Sequence, residues 1–282
     1  MRRIGYAFVV VVSLIGRVDA GDDRSMVRLA AFDGRGGVIV PVTIDGTGPF
    51  MFMLDTGSSR TAIADDLAIQ MAAPVVARAE VVSSAGPEVH DVMRLERVEV
   101  AGAHAAILLA SVIPAARLRA IGSEIRGVVG QDFLSGFNYT LDYQRGRLTW
   151  DGTDVASCAS RAALPLVGAE GRYLVNVMPE RSSRPLRLVP DTGSDTLVLF
   201  APIGDHDRRD IRAAVSITGL TGTARARTVA ASKLRVGNVT LRSATTVVVE
   251  RDGADSDGLL PLHVFASVSF NMQEGCMVVR ER

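Results

Sequence analysis

The tetrapeptide Asp-Thr-Gly-Ser occurs twice in this chain, as Asp55-Thr56-Gly57-Ser58 and as Asp191-Thr192-Gly193-Ser194. With the chain's own composition, chance supplies one copy in on the order of one such chain in a hundred, and two copies in roughly a few per hundred thousand. A lone copy would read as a solvated turn, since all four residue types favour turns. Here both copies follow an apolar run and precede another, Thr61-Ala62-Ile63 in the first case and Thr196 to Phe200 in the second. An Asp carried at the end of a buried strand is costly unless its charge is shared or hydrogen-bonded. Two such acids side by side cannot both ionise cheaply, so they share one proton and titrate as a unit. One carboxylate of such a pair can take a proton from a water while its protonated partner donates a hydrogen bond to a developing oxyanion.

The elements that must position these acids are themselves duplicated. Pro49 to Ser58 aligns without a gap on Pro185 to Ser194, 136 residues later. Gly127-Val128-Val129-Gly130-Gln131-Asp132-Phe133-Leu134 resembles Gly258-Leu259-Leu260-Pro261-Leu262-His263-Val264-Phe265, and Leu141 to Leu148 resembles Phe270 to Met277. Three blocks recurring in one order describe a duplicated lobe. The expected division is a leader over residues 1–20, a first lobe over 21–155 and a second over 156–282, with the break near Asp151 to Ala163. Within each lobe the pattern is mostly strand: Val38 to Ile44 ends in the turn pair Asp45-Gly46, and Phe50 to Leu54 is an apolar run typical of a buried strand. Leu95 to Val100 and Leu234 to Val236 alternate toward Gly102 and Gly237. Helical pattern is scarce: Asp65-Asp66 before Leu67 to Met71 predicts one short helix, and a second is expected after Gly130.

These residues resemble the aspartic peptidases built like pepsin and the retroviral proteases, with Thr61-Ala62-Ile63 and the acidic helix start closest to the bacterial retropepsin-like branch. The resemblance covers residues 36 to 280 in element order, and motif identity is concentrated in the two tetrapeptides and Val128-Val129-Gly130. It implies a mainly β fold of two pseudo-symmetric β-barrel lobes with the active-site cleft between them. It implies an aspartic endopeptidase with Asp55 and Asp191 as catalytic residues, no metal, no cofactor and no covalent intermediate. Thr56 and Thr192 would tie the loops together, Gly57 and Gly193 would let backbone approach the carboxylates, and Ser58 and Ser194 would donate to their outer oxygens. An acidic to mildly acidic optimum is expected, since a hydroxyl bonded to the charged form lowers a carboxyl pKa. A polypeptide would lie extended in the groove, pairing with strand edges. Mobile hairpins at residues 81–87 and 216–222 are candidates to cover it, or else ordinary surface hairpins. The chain departs from the family at Pro261, where the usual residue is Gly, so the backbone behind Asp191 is expected to pack differently. An alternative from another class is a non-catalytic peptide-binding protein that keeps the groove, and a third is a structural β protein of the envelope.

Composition sets the boundaries of these readings. The chain has 282 residues, 31 Lys+Arg against 31 Asp+Glu, and 48% hydrophobic residues, so it has material for a core and lacks the basic footprint of a nucleic-acid binder. Met1-Arg2-Arg3 precedes an apolar stretch from Ile4 to Ile15 and the small-residue site Val18-Asp19-Ala20, the pattern of a secretory signal peptide. The stretch falls short of the ~20 residues of a spanning helix. A periplasmic or secreted monomer without stable membrane insertion is expected, in a compartment where thiols oxidise. Cys158 and Cys276 there form either a single staple or two unpaired buried cysteines. The chain contains no Gly-x-Ser-x-Gly, Gly-x-x-x-x-Gly-Lys or His-Glu-x-x-His motif, and His90, His104, His206 and His263 are scattered singly. The runs 205–210 and 251–257 read as solvated faces.

Overall fold

The computed structural model describes residues 27–28, 37–83, 86–151, 157–180, 182–200, 213–229, 233–242, 246–250 and 255–282. The signal-like segment, the charged run 205–210 and part of the run 251–257 lie outside them. The chain is mainly β, as the alternating pattern implies, and among the described residues the strands form three sheets.

The first lobe is built on strand Val38–Ile44, whose inward residues Val38, Val40, Val42 and Ile44 are fully buried while their neighbours are half-buried, the period-two pattern of a one-faced strand. Asp45 and Gly46, both with positive φ, turn the chain back into strand Thr47–Leu54. This second strand runs parallel to Ile125–Val129, and the short strand Ala62–Ala64 lies antiparallel to Ile125–Val129 and parallel to Ala103–Ile113. The long hairpin Val75–Ser83 and Gly86–Val100 completes the sheet, and pairing of Val38–Ile44 with the far end of Gly86–Val100 rolls it toward a barrel.

The second lobe repeats this wiring. Strand Leu186–Asp191 runs parallel to Gly258–Pro261, Leu197–Phe200 lies antiparallel to Gly258–Pro261 and parallel to Thr246–Val249, and Arg172–Pro179 pairs with both Leu186–Asp191 and Lys233–Val236. The hairpin Ala213–Gly219 and Gly222–Val229 corresponds to the long hairpin of the first lobe. A six-stranded sheet joins the halves underneath: Tyr139–Asp142 from the first pairs antiparallel with Ser267–Asn271 from the second. Phe133, Phe137, Tyr139, Trp150 and Phe270 stack in an aromatic cluster at this junction, and one continuous apolar core runs through both lobes.

Helices at Asp65–Met71 and Gln131–Leu134 stand where the acidic start and the segment after Gly130 place them. A further helix, Ala115–Ile121, follows Pro114, and its short Ala/Arg-rich sequence carries too few apolar repeats to announce it. Cys158 is disulfide-bonded to Cys276, pinning the connection between the halves to strand Cys276–Arg280. Of the two readings left open by the sequence, the staple is the one the fold adopts. Among the described residues no helix is long and apolar enough to cross a membrane, and no cluster of three or more His, Cys, Asp or Glu side chains is spaced to hold a metal ion.

Candidate active site

Both acids stand where a buried strand runs out. Asp55 follows Leu54 at the end of strand Thr47–Leu54, and Asp191 is the last residue of Leu186–Asp191. Each strand is held from behind by a parallel partner, Ile125–Val129 in one lobe and Gly258–Pro261 in the other, so the two loops project toward the seam from rigid supports. There the carboxyl groups of Asp55 and Asp191 meet and hydrogen-bond to one another.

The seam is closed by the threonines. Thr56 N–H donates to Thr192 Oγ1 at 3.0 Å, and Thr192 N–H donates to Thr56 Oγ1 at 3.1 Å. The Thr56 hydroxyl then donates to the Pro190 carbonyl at 2.8 Å and the Thr192 hydroxyl to the Leu54 carbonyl at 2.6 Å. Both side chains are buried, so these four bonds satisfy groups that have no access to water. The glycines supply the space. A Cβ on Gly57 would sit 2.6 Å from Asp191 Cγ, and one on Gly193 would sit 3.2 Å from Asp55 Cγ, so each loop glycine makes room for the carboxyl of the opposite lobe.

Within each loop the glycine N–H caps its own acid: Gly57 N–H donates to Asp55 Oδ1 at 2.8 Å and Gly193 N–H to Asp191 Oδ1 at 2.7 Å. The serine hydroxyls depart from expectation. Ser58 donates to the Arg60 carbonyl at 2.9 Å and Ser194 to the Thr196 carbonyl at 2.7 Å, not to the carboxylates. The physical reason is local: a serine hydroxyl in a turn reaches the carbonyl two residues on, while the backbone N–H groups of Gly57 and Ser58, and of Gly193 and Ser194, already face the acids.

Burial pushes both carboxyls above the usual Asp range, and the charge of Asp55 pushes Asp191 further. Asp55 is half-buried and its rise is opposed by the hydrogen bond with Asp191, the N–H groups of its own loop and the positive charge of Arg172. Asp191 is buried. A pair so placed holds one proton well above the pH at which an isolated Asp would lose it.

Several residues at the site carry no motif. Gln131 donates from Nε2 to the Thr56 carbonyl at 2.9 Å, and Asp132 accepts from Thr61 N–H, the Thr61 hydroxyl and Phe133 N–H. Their place directly after Val128-Val129-Gly130 is the signal that marks them. Arg172 opens strand Arg172–Pro179, paired with Asp255 at 2.6 Å, and nothing in its local sequence points to Asp55. Both candidate flap segments form hairpins, with Ser83 opposite Gly86 and Gly219 opposite Gly222. The tip of the second reaches the first lobe: Arg117, held by Glu88, donates to the Leu220 carbonyl at 3.4 Å.

Residues 40–133 and 177–264 match the sequence profile of a family described as aspartyl protease, one segment in each half of the duplication. No curated protein matches the chain.

Proposed function

Because the chain belongs to the aspartyl protease family, we propose that it is an endopeptidase in which Asp55 and Asp191 activate a water between them. Ionised Asp55 takes the proton of the water as it attacks the scissile carbonyl carbon, and protonated Asp191 hydrogen-bonds the carbonyl oxygen as its negative charge develops. The proton gained by Asp55 then goes to the departing amine, which restores the singly protonated pair. Thr56, Gly57, Thr192 and Gly193 act by fixing the distance between the acids, and Ser58 and Ser194 by fixing the loops that carry them. The observation that carries this reading is the hydrogen-bonded carboxyl pair held across the seam by the two threonines. The substrate is an unfolded polypeptide, bound extended between the lobes by one protein monomer.

The working compartment in this reading is a periplasm or the outside of a cell, after removal of residues 1–20. The Cys158–Cys276 disulfide supports it, because such bonds persist where thiols are oxidised. The test is hydrolysis of a random peptide library and of an unfolded protein at pH 4 to 6 by the wild type, Asp55→Asn and Asp191→Asn. Pepstatin-sensitive cleavage that both substitutions abolish supports the proposal. Peptide binding without cleavage, unaffected by either substitution, overturns it in favour of a non-catalytic binding protein.

A further inference from the structure

A second charged pair lies against the seam. The two-residue turn Glu170-Gly171, both with positive φ, delivers the chain into strand Arg172–Pro179 and packs on the first lobe: a Cβ on Gly171 would lie 3.2 Å from the Cβ of Ser59, four residues after Asp55. Arg172 follows, and its side chain is only 11% exposed. It donates from Nη2 to Asp255 Oδ2 at 2.6 Å, and Asp255 is 18% exposed on the segment leading into Gly258–Pro261, the strand that backs Asp191. The pair therefore links the turn beside one acid to the strand behind the other. Ion pairs buried to this extent return little net stability, because desolvation of both partners offsets their attraction. A guanidinium in this place does have an electrostatic consequence, since it favours negative charge on the nearer carboxyl.

We infer that Arg172, oriented and partly neutralised by Asp255, is a positioning residue that fixes the negative charge of the dyad on Asp55 and sets the acidic limit of its activity. The inference rests on the function proposed above and adds the source of asymmetry between two acids whose own loops are nearly symmetric. Among the described residues the groups facing the dyad are few. Asp55 is faced by Asp191 and Arg172, and Asp191 by Asp55 and by Tyr143 from the turn after strand Tyr139–Asp142. Arg282 faces Tyr143, and Asp132, behind the first loop, is occupied by Thr61 with Arg60 nearby.

The experiment compares Arg172→Gln, Arg172→Lys and Asp255→Asn with the wild type. It reads the pH profile of kcat/KM together with the carboxyl titration of protein carrying 13C-labelled Asp, assigned by loss of signals in Asp55→Asn and Asp191→Asn. Removing the guanidinium should raise the lower apparent pKa of the dyad by about half a pH unit. Asp255→Asn should lower it, because the positive charge is then no longer offset, and Arg172→Lys should stay close to wild type. Opposite shifts from the two partners support the inference. Shifts of one sign, or an unmoved acidic limb, overturn it and leave the pair a structural brace. If Arg172→Gln does not fold, the direction of the Asp255→Asn shift decides alone. Absence of turnover with opposite carboxyl shifts retains the electrostatic role and removes the peptidase reading instead.

Discussion

The two loops that meet at the seam are almost superimposable in their bonds to one another and quite different in what holds them from behind. Behind Asp55, Gly130 threads so close to Arg60 that a Cβ would sit 2.5 Å from its carbonyl carbon, Gly130 N–H donates to Thr61 Oγ1, and Gln131 N–H donates to the Ser58 carbonyl at 2.9 Å. Asp132 collects three donors in the same place. Behind Asp191 the corresponding residues are Pro261, Leu262 and His263. Leu262 N–H donates to the Asp191 carbonyl at 3.3 Å, and the fully buried Leu260 and Leu262, with Phe265, fill the space by apolar packing. One loop is fixed by directional bonds in a tight thread and the other by core volume. The lesson is that the geometry between the acids depends on the threonine cross-ties and on a rigid strand end, and that either kind of backing supplies the rigidity.

That comparison can be tested from its strongest consequence downward. Turnover should depend equally on both lobes: Asp55→Asn and Asp191→Asn should each reduce peptide hydrolysis by about a thousandfold or more, and an acid that can be removed at small loss would break the symmetry at the seam. The cross-ties should be equivalent in stability. Thr56→Val and Thr192→Val each leave a buried N–H of the opposite loop without an acceptor, so each should cost about 3 kcal/mol in denaturant unfolding. Behind the seam the symmetry should fail. Gly130→Ala forces a Cβ into the backbone of Arg60 and should cost about 3 kcal/mol, against about 1 kcal/mol for Pro261→Ala. Asp132→Ala strips three donors of their acceptor and should cost about 2 kcal/mol, whereas His263→Ala should cost less than about 1 kcal/mol.

The smallest expected effect is in the pH dependence of stability. Burial raises both carboxyls in the folded state, so the native protein holds a proton that the unfolded chain releases near the ordinary Asp pKa. The unfolded state then binds fewer protons, and stability falls as pH rises from that ordinary value through the raised one. In Asp191→Asn the pair loses its titrating member with the larger rise, so melting temperature should decline less between pH 4 and pH 7 than in the wild type. An identical slope would mean that the acids do not share a proton.

Much of the site was legible in the sequence because it rests on local pattern. An apolar run ending in Asp-Thr-Gly-Ser says that an acid stands at the mouth of a buried strand, and its recurrence says that a second acid stands likewise. The hairpin turn at Asp45-Gly46 and the helix at Asp65–Met71 follow from turn chemistry and the acidic start. Family resemblance puts the serine hydroxyls on the carboxylates, and the fold turns them to Arg60 and Thr196, because a serine hydroxyl in a turn reaches the carbonyl two residues on. Leu220 on Arg117 and Gly171 against Ser59 are contacts between distant stretches of chain, and no periodicity within either stretch encodes them.

The sequence by itself determined the duplication, the mainly β class and the identity of the two acids, since each depends on residue types at short, fixed spacing. The tertiary structure alone decided that each glycine accommodates the other lobe's carboxyl, that Cys158 reaches Cys276, and that both carboxyls are raised together. Those outcomes are set by distances across the seam and by removal of water from it, and both come into being only when the halves pack.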